Sequence, residues 1–174
     1  MNAHDRGISV NRSQILAMTL ALIVGLGGSW AIAAVQDNQR TRYQCQQLVD
    51  RVNQGYAQTL AFQGSDAIAL NGLAQQLDTI ANSLQQLDID RPPLRRAQQQ
   101  FVQGYRDLSQ GYQSIVRALE AAEQAPKTET GLQQVQQAQS QVKEAGAAAQ
   151  EAARQIDQFA RDLNRLCLEG EETT

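Results

Sequence analysis

Gly64-Ser65-Asp66 interrupts an otherwise helix-forming run from Gln36 to Leu87, and its reading decides how many helices this chain builds. Glycine commonly ends a helix and serine or aspartate commonly caps the next, so the triplet predicts a fold-back. Without it, the run would be one helix of about 50 residues and about 75 Å. Asn71-Gly72 is a competing turn signal, but it would cut through a leucine heptad and leave a short second helix. Leu48, Val52 and Tyr56 lead into that heptad with only a small phase slip, so periodicity alone does not choose.

Two further breaks follow. Asp88-Ile89-Asp90-Arg91-Pro92-Pro93 offers aspartates as caps and prolines that fit only the first turn of a helix. Ala125–Gly131 contains a proline, with Thr130 and Gln133 at capping-box spacing. Between the breaks, apolar residues step by three and four. They run Leu70, Leu73, Leu77, Ile80, Leu84 and Leu87, then Phe101, Tyr105, Leu108, Tyr112, Ile115 and Leu119. A third series takes in Leu132, Val135, Val142, Ala149, Ile156, Phe159 and Leu163. Single stripes of this period belong to helices packed side by side at shallow angles. Aromatics are 5% and prolines three, whereas glutamine occurs 29 times. The expected fold is all-α: an antiparallel helical bundle over 36–168, with breaks near 64–66, 88–93 and 125–131 and a tail over 169–174. Four body helices are favoured, with three as the alternative.

Cys45 and Cys167, the two cysteines of the chain, bear on that count. Successive antiparallel helices alternate direction, so the start of the first meets the end of the last only when their number is even. A disulfide needs Cα atoms within about 7 Å. Four helices bring Cys45 and Cys167 to one end, and three leave them tens of ångströms apart. We therefore expect a Cys45–Cys167 disulfide together with four helices.

Ahead of the body, 1–14 forms a short tail and Ile15–Val35 runs 21 residues without a charge. That matches the ~20 residues a helix needs to span a bilayer core. Trp30 suits a membrane interface, and this segment reads as a transmembrane anchor in contact with lipid. A cleaved signal peptide is the alternative, with Ala31-Ile32-Ala33 as a small-x-small site and a secreted or periplasmic product. Arginines flank the segment on both sides, so charge bias is nearly silent on orientation. The signal-like order of its parts, with two well-separated cysteines, points to a single-pass protein whose body is extracytoplasmic.

Chemistry-bearing motifs are scarce. His4, the sole histidine, precedes the apolar segment, and no paired-histidine, CxxC or phosphate-binding loop pattern is present. We expect no catalytic residues, no cofactor, no metal and no enzyme activity. A net charge of −3, with 13 arginines and two lysines dispersed along the chain, lacks the basic footprint of a nucleic-acid binder. Gln-Gly-Tyr recurs at 54–56, 103–105 and 110–112. Tyr105 and Tyr112 lie one heptad apart and so share a face. They are either core residues whose hydroxyls reach the surface or the lining of a binding groove with glycines making the space. Arg91, Arg95 and Arg96 surround a helix start, where positive charge opposes the macrodipole. In a four-helix layout this cluster returns to the membrane end, where it could contact anionic headgroups or an acidic partner.

The reading that best joins these features is a membrane-tethered interaction or assembly module for a membrane-protein partner, with room left for homo-oligomerisation. Its layout is similar to the extracytoplasmic half of bacterial four-helix sensor domains, an architectural likeness that carries no motif. It implies ligand sensing as the alternative, and a signal-cleaved carrier or chaperone-like bundle is a third.

Overall fold

A computed structural model describes residues 39–64 and 66–169. The anchor or signal segment 15–35 and the tail 1–14 lie outside the described residues, and among the described residues no helix is long and apolar enough to cross a membrane. From Thr41 onward the chain is one compact unit. Four helices build it: α1 over 39–61, α2 Ala67–Gln85, α3 Pro92–Glu123 and α4 Glu129–Glu169. No strand occurs among the described residues. The described residues form an all-α four-helix bundle, and the three-helix alternative is excluded because the chain leaves helix between α1 and α2.

Local chemistry explains the breaks. Asp66 caps α2, its Oδ1 accepting from the Ala69 backbone N–H at 2.7 Å. Asn71 and Gly72 do not turn the chain; α2 runs through both. Pro92 and Pro93 occupy the first two positions of α3, where a missing N–H costs nothing. Asp90, expected as a cap, does something else: its Oδ1 accepts from Gln44 Nε2 on α1 at 2.6 Å. Arg91 takes the cap position without a side-chain cap bond. The cap of α4 lies two residues earlier than the Thr130 pattern suggested. Thr128 Oγ1 accepts from the Gly131 N–H at 3.2 Å, the first hydroxyl available after Pro126. Glu129 then sits in the first turn, where the helix dipole favours an acid.

Register follows from the contacts between helices. Going up α3, Gln98 bonds the Leu84 carbonyl and Ser109 the Ala74 carbonyl, so α2 and α3 are antiparallel. Gly104 faces Ile156 and Gly111 faces Ala149, so α4 is antiparallel to α3. Gln44 meets Asp90 and Val52 meets Tyr105, so α1 runs alongside α3 in the same direction. The interior joins all four helices: Leu48, Leu77, Leu84 and Phe101 are fully buried, with Leu163 almost so. Phe101 and Phe159 meet edge to face at 6.1 Å between ring centres. Truncating one such leucine to alanine removes about 2–5 kcal/mol.

The stripes fray where the helices differ in length. α4 has 41 residues and α3 has 32, against 19 in α2. Tyr112, Ile115 and Leu119 are therefore only part-covered, and Leu132, expected in the stripe, is 59% exposed on the first turn of α4.

Three buried polar residues stitch the helices. Gln98 donates to the Leu84 and Leu87 carbonyls at 2.7 and 2.9 Å, giving each a second partner beside the backbone N–H of Leu87 and Ile89. Ser109, wholly buried, donates to the Ala74 carbonyl at 2.9 Å. Gln44 donates to the Asp88 carbonyl as well as to Asp90, pinning the α2–α3 connection against α1.

Candidate functional site

Cys45 and Cys167 are disulfide-bonded, with Cα atoms 5.9 Å apart across 122 residues of sequence. Cys45 is buried near the start of α1 and Cys167 lies in the last turn of α4, so the bond closes one end of the bundle. The role is structural: neither sulfur is a free thiol.

Arg91, Arg95 and Arg96 sit at this same end, because Gln44 and Cys45 bring the start of α1 to the α2–α3 connection. Arg95 Nη2 reaches the Asp90 carbonyl at 3.4 Å, Arg91 is also partnered, and Arg96 is exposed. The three bases thus ring the stapled end but converge on no enclosed site.

Tyr105 and Tyr112 do come together, in a cavity of about 220 Å³ between α1, α3 and α4. Leu108 and Ile156 form its floor side, Thr59 and Leu60 come from α1, and Asp157 from α4. The tyrosines differ in role. Tyr105 is 1% exposed, and its hydroxyl donates to the Val52 carbonyl at 2.8 Å instead of reaching the surface. Tyr112 is half-buried. Tyr56, which the sequence places only in the first Gln-Gly-Tyr, is 51% exposed and borders the same cavity beside the 68%-exposed Leu60.

The glycines of the repeat do not open this space. A Cβ on Gly55 would fall 2.6 Å from the Tyr105 ring, and one on Gly111 would fall 2.9 Å from the Ala149 Cβ. Each glycine instead lets a neighbouring helix approach closely. The glycine before Tyr56 in fact serves Tyr105, fifty residues on, a pairing invisible in the local motif.

Burial keeps the phenols of Tyr105 and Tyr112 neutral. Burial, and secondarily the negative charge of Asp157, pushes the Tyr105 phenol well above its ordinary range. Burial also raises Tyr112. Neither phenol is disposed to act as a nucleophile or base. The Thr59 hydroxyl is turned to the Gly55 and Tyr56 carbonyls of its own helix at 2.9 Å. The arrangement offers aromatic side chains, one carboxylate and the hydroxyls of Tyr56 and Tyr112. Among the described residues no group of His, Cys, Asp and Glu could hold a metal ion.

A second concavity runs along the outside of α3 and α4, an open groove of about 440 Å³ floored by Gly111, Ala145, Ala148 and Ala152 and edged by Asp107 and Glu151. The sequence marks it only by the alanine-rich centre of α4 and by Gln110 and Gly111 of the third Gln-Gly-Tyr. No family model matches this chain, and no curated protein or solved structure matches it either.

Proposed function

We propose that this chain is a single-pass, membrane-tethered bundle whose body lies on the extracytoplasmic side and serves as an interaction module for a membrane-protein partner. The observation that carries the reading is the Cys45–Cys167 disulfide. Such bonds persist in oxidising compartments and are rare where glutathione keeps thiols reduced. Cys45 follows the apolar segment by ten residues of sequence, so the staple ties the last helix back to the end of the body nearest the anchor in the chain. The arginines at that end support contact with anionic headgroups or an acidic partner.

The outer α3–α4 groove supports the interaction role. Its floor of small side chains allows another helix to approach closely, and its rim is polar. The test is co-purification from mild detergent, comparing the native chain with Ala148→Trp, a change at an exposed groove position. Loss of the partner with an unchanged melting temperature supports the reading. A partner retained at full yield contradicts the groove's role, and a partner found to be a second copy of the chain assigns the face to homo-oligomerisation.

Ligand binding is a second reading, favoured by one specific observation: the tyrosine-bordered cavity has two exposed apolar side chains, Tyr56 and Leu60, at its mouth. Exposed apolar surface around a concavity is a mark of a binding site. On this reading the bundle senses or carries a small molecule.

A further inference from the structure

The cavity between α1, α3 and α4 combines features that select one class of occupant. Three of its nine bordering residues are tyrosines: Tyr56, Tyr105 and Tyr112. The face of an aromatic ring carries the negative part of its quadrupole and attracts cations lying over it. Asp157 supplies the one formal charge among the bordering residues, and it is negative. No arginine or lysine borders the space. Asp157 is exposed, and among the described residues no hydrogen bond or ion pair engages its carboxylate. On the same helix Glu151 pairs with Arg154 and Asp162 with Arg165.

Of the four hydroxyls that border the cavity, two are already committed. The Tyr105 hydroxyl is given to Val52 and the Thr59 hydroxyl to its own helix. What remains for a guest is aromatic surface, aliphatic surface from Leu60, Leu108 and Ile156, the hydroxyls of Tyr56 and Tyr112, and one carboxylate, whose charge repels an anion. At about 220 Å³ the space is smaller than the several hundred Å³ of a typical drug-sized site. It has room for a compact head group.

We infer that this cavity binds a small organic cation, an alkylammonium or quaternary ammonium head group, with Asp157 as counter-charge and Tyr56 and Tyr112 as aromatic walls. The inference rests on the ligand-binding reading and adds the sign and size of the ligand. Recognition divides between the two kinds of group. The carboxylate draws the cation to the mouth, and the rings hold its alkyl substituents, which are too weakly hydrated to need hydrogen bonds.

The test is calorimetric titration of the full chain in mild detergent with tetramethylammonium, methylammonium and choline at matched ionic strength. The companion probe is the neutral carbon isostere of choline, in which a quaternary carbon replaces the nitrogen. At least one cation should bind saturably and raise the melting temperature, and the isostere should bind at least about tenfold more weakly. Asp157→Asn should weaken the cation by about tenfold and Tyr112→Leu by a similar factor. Asp162→Asn, on α4 but outside the cavity, should change nothing. Equal binding of cation and isostere overturns the inference and leaves the ligand-binding reading standing. Cation binding unaffected by Asp157→Asn likewise overturns it. Absence of binding by all three cations overturns it as well.

Discussion

The ring of Tyr105 occupies the space where Gly55 lacks a side chain: a methyl there would lie 2.6 Å from the ring, whose hydroxyl meanwhile donates to the Val52 carbonyl. This contact fixes how closely α1 approaches α3 at the height of the cavity. Gly55→Ala is therefore expected to destabilise the bundle by about 1–3 kcal/mol through overpacking. Gly72→Ala makes the contrast, because nothing lies within 4 Å of a Cβ at that helical position. It is expected to stabilise by about 0.5–1 kcal/mol. Urea denaturation of the two variants checks both signs.

Buried polar stitching should be costly to remove. Gln98→Ala strips partners from the Leu84 and Leu87 carbonyls at the end of α2. The expected loss is about 1–3 kcal/mol, since two hydrogen bonds of about 0.5–1.5 kcal/mol each are removed while the carbonyls keep their backbone partners. Gln99→Ala, at an exposed neighbouring position, should stay within about 0.5 kcal/mol of the native chain. Denaturation midpoints that do not separate the two variants would contradict the assignment.

Tyr105 and Tyr112 also predict how stability depends on alkaline pH. Their phenols are raised in the folded state, Tyr105 by burial and then by Asp157, Tyr112 by burial. The unfolded chain, with the ordinary tyrosine value of 10.0, releases these protons first. The folded state then binds more protons than the unfolded one, so stability falls as pH rises. The contribution is complete below the unfolded value and is lost progressively above it, toward the raised folded value. Melting temperatures should decline beyond about pH 10, and Tyr105→Phe should flatten that decline. An identical alkaline slope in the Phe variant would contradict the contribution of Tyr105.

The disulfide should matter to stability as well as to topology. It closes a loop with a sequence separation of 122 residues. Reduction, or the paired change Cys45→Ser with Cys167→Ser, is expected to cost about 2–4 kcal/mol by freeing the unfolded chain. Comparing denaturation with and without reductant measures it.

Much of this architecture is legible in the residues. Asp66 really caps α2, and the parity argument links four helices to the meeting of Cys45 with Cys167. The cavity is half legible. Tyr105 and Tyr112 share a face because a heptad separates them, but Tyr56, Leu60 and Asp157 join them only through packing. The glycine before each tyrosine was misleading, since close approach of a distant helix uses the same residue that an open groove would. Gln98 and Gln44 were hidden for a different reason: in a chain with 29 glutamines, a buried one looks like its solvated neighbours. A trace was present, because Gln98 falls between Leu94 and Phe101 on the apolar row of α3. The caps were ambiguous because aspartate and threonine at a helix start can equally well bond elsewhere, as Asp90 does with Gln44.

The central claim, a stapled bundle held on the oxidising side of a membrane, is tested most directly by thiol labelling of the full-length chain in intact membranes, read on a non-reducing gel. The account predicts that neither Cys45 nor Cys167 reacts before reduction, and that both react afterwards with an impermeant reagent applied from the extracytoplasmic side. Free cysteines that react without reduction, and only with a reagent admitted to the cytoplasmic side, would contradict it.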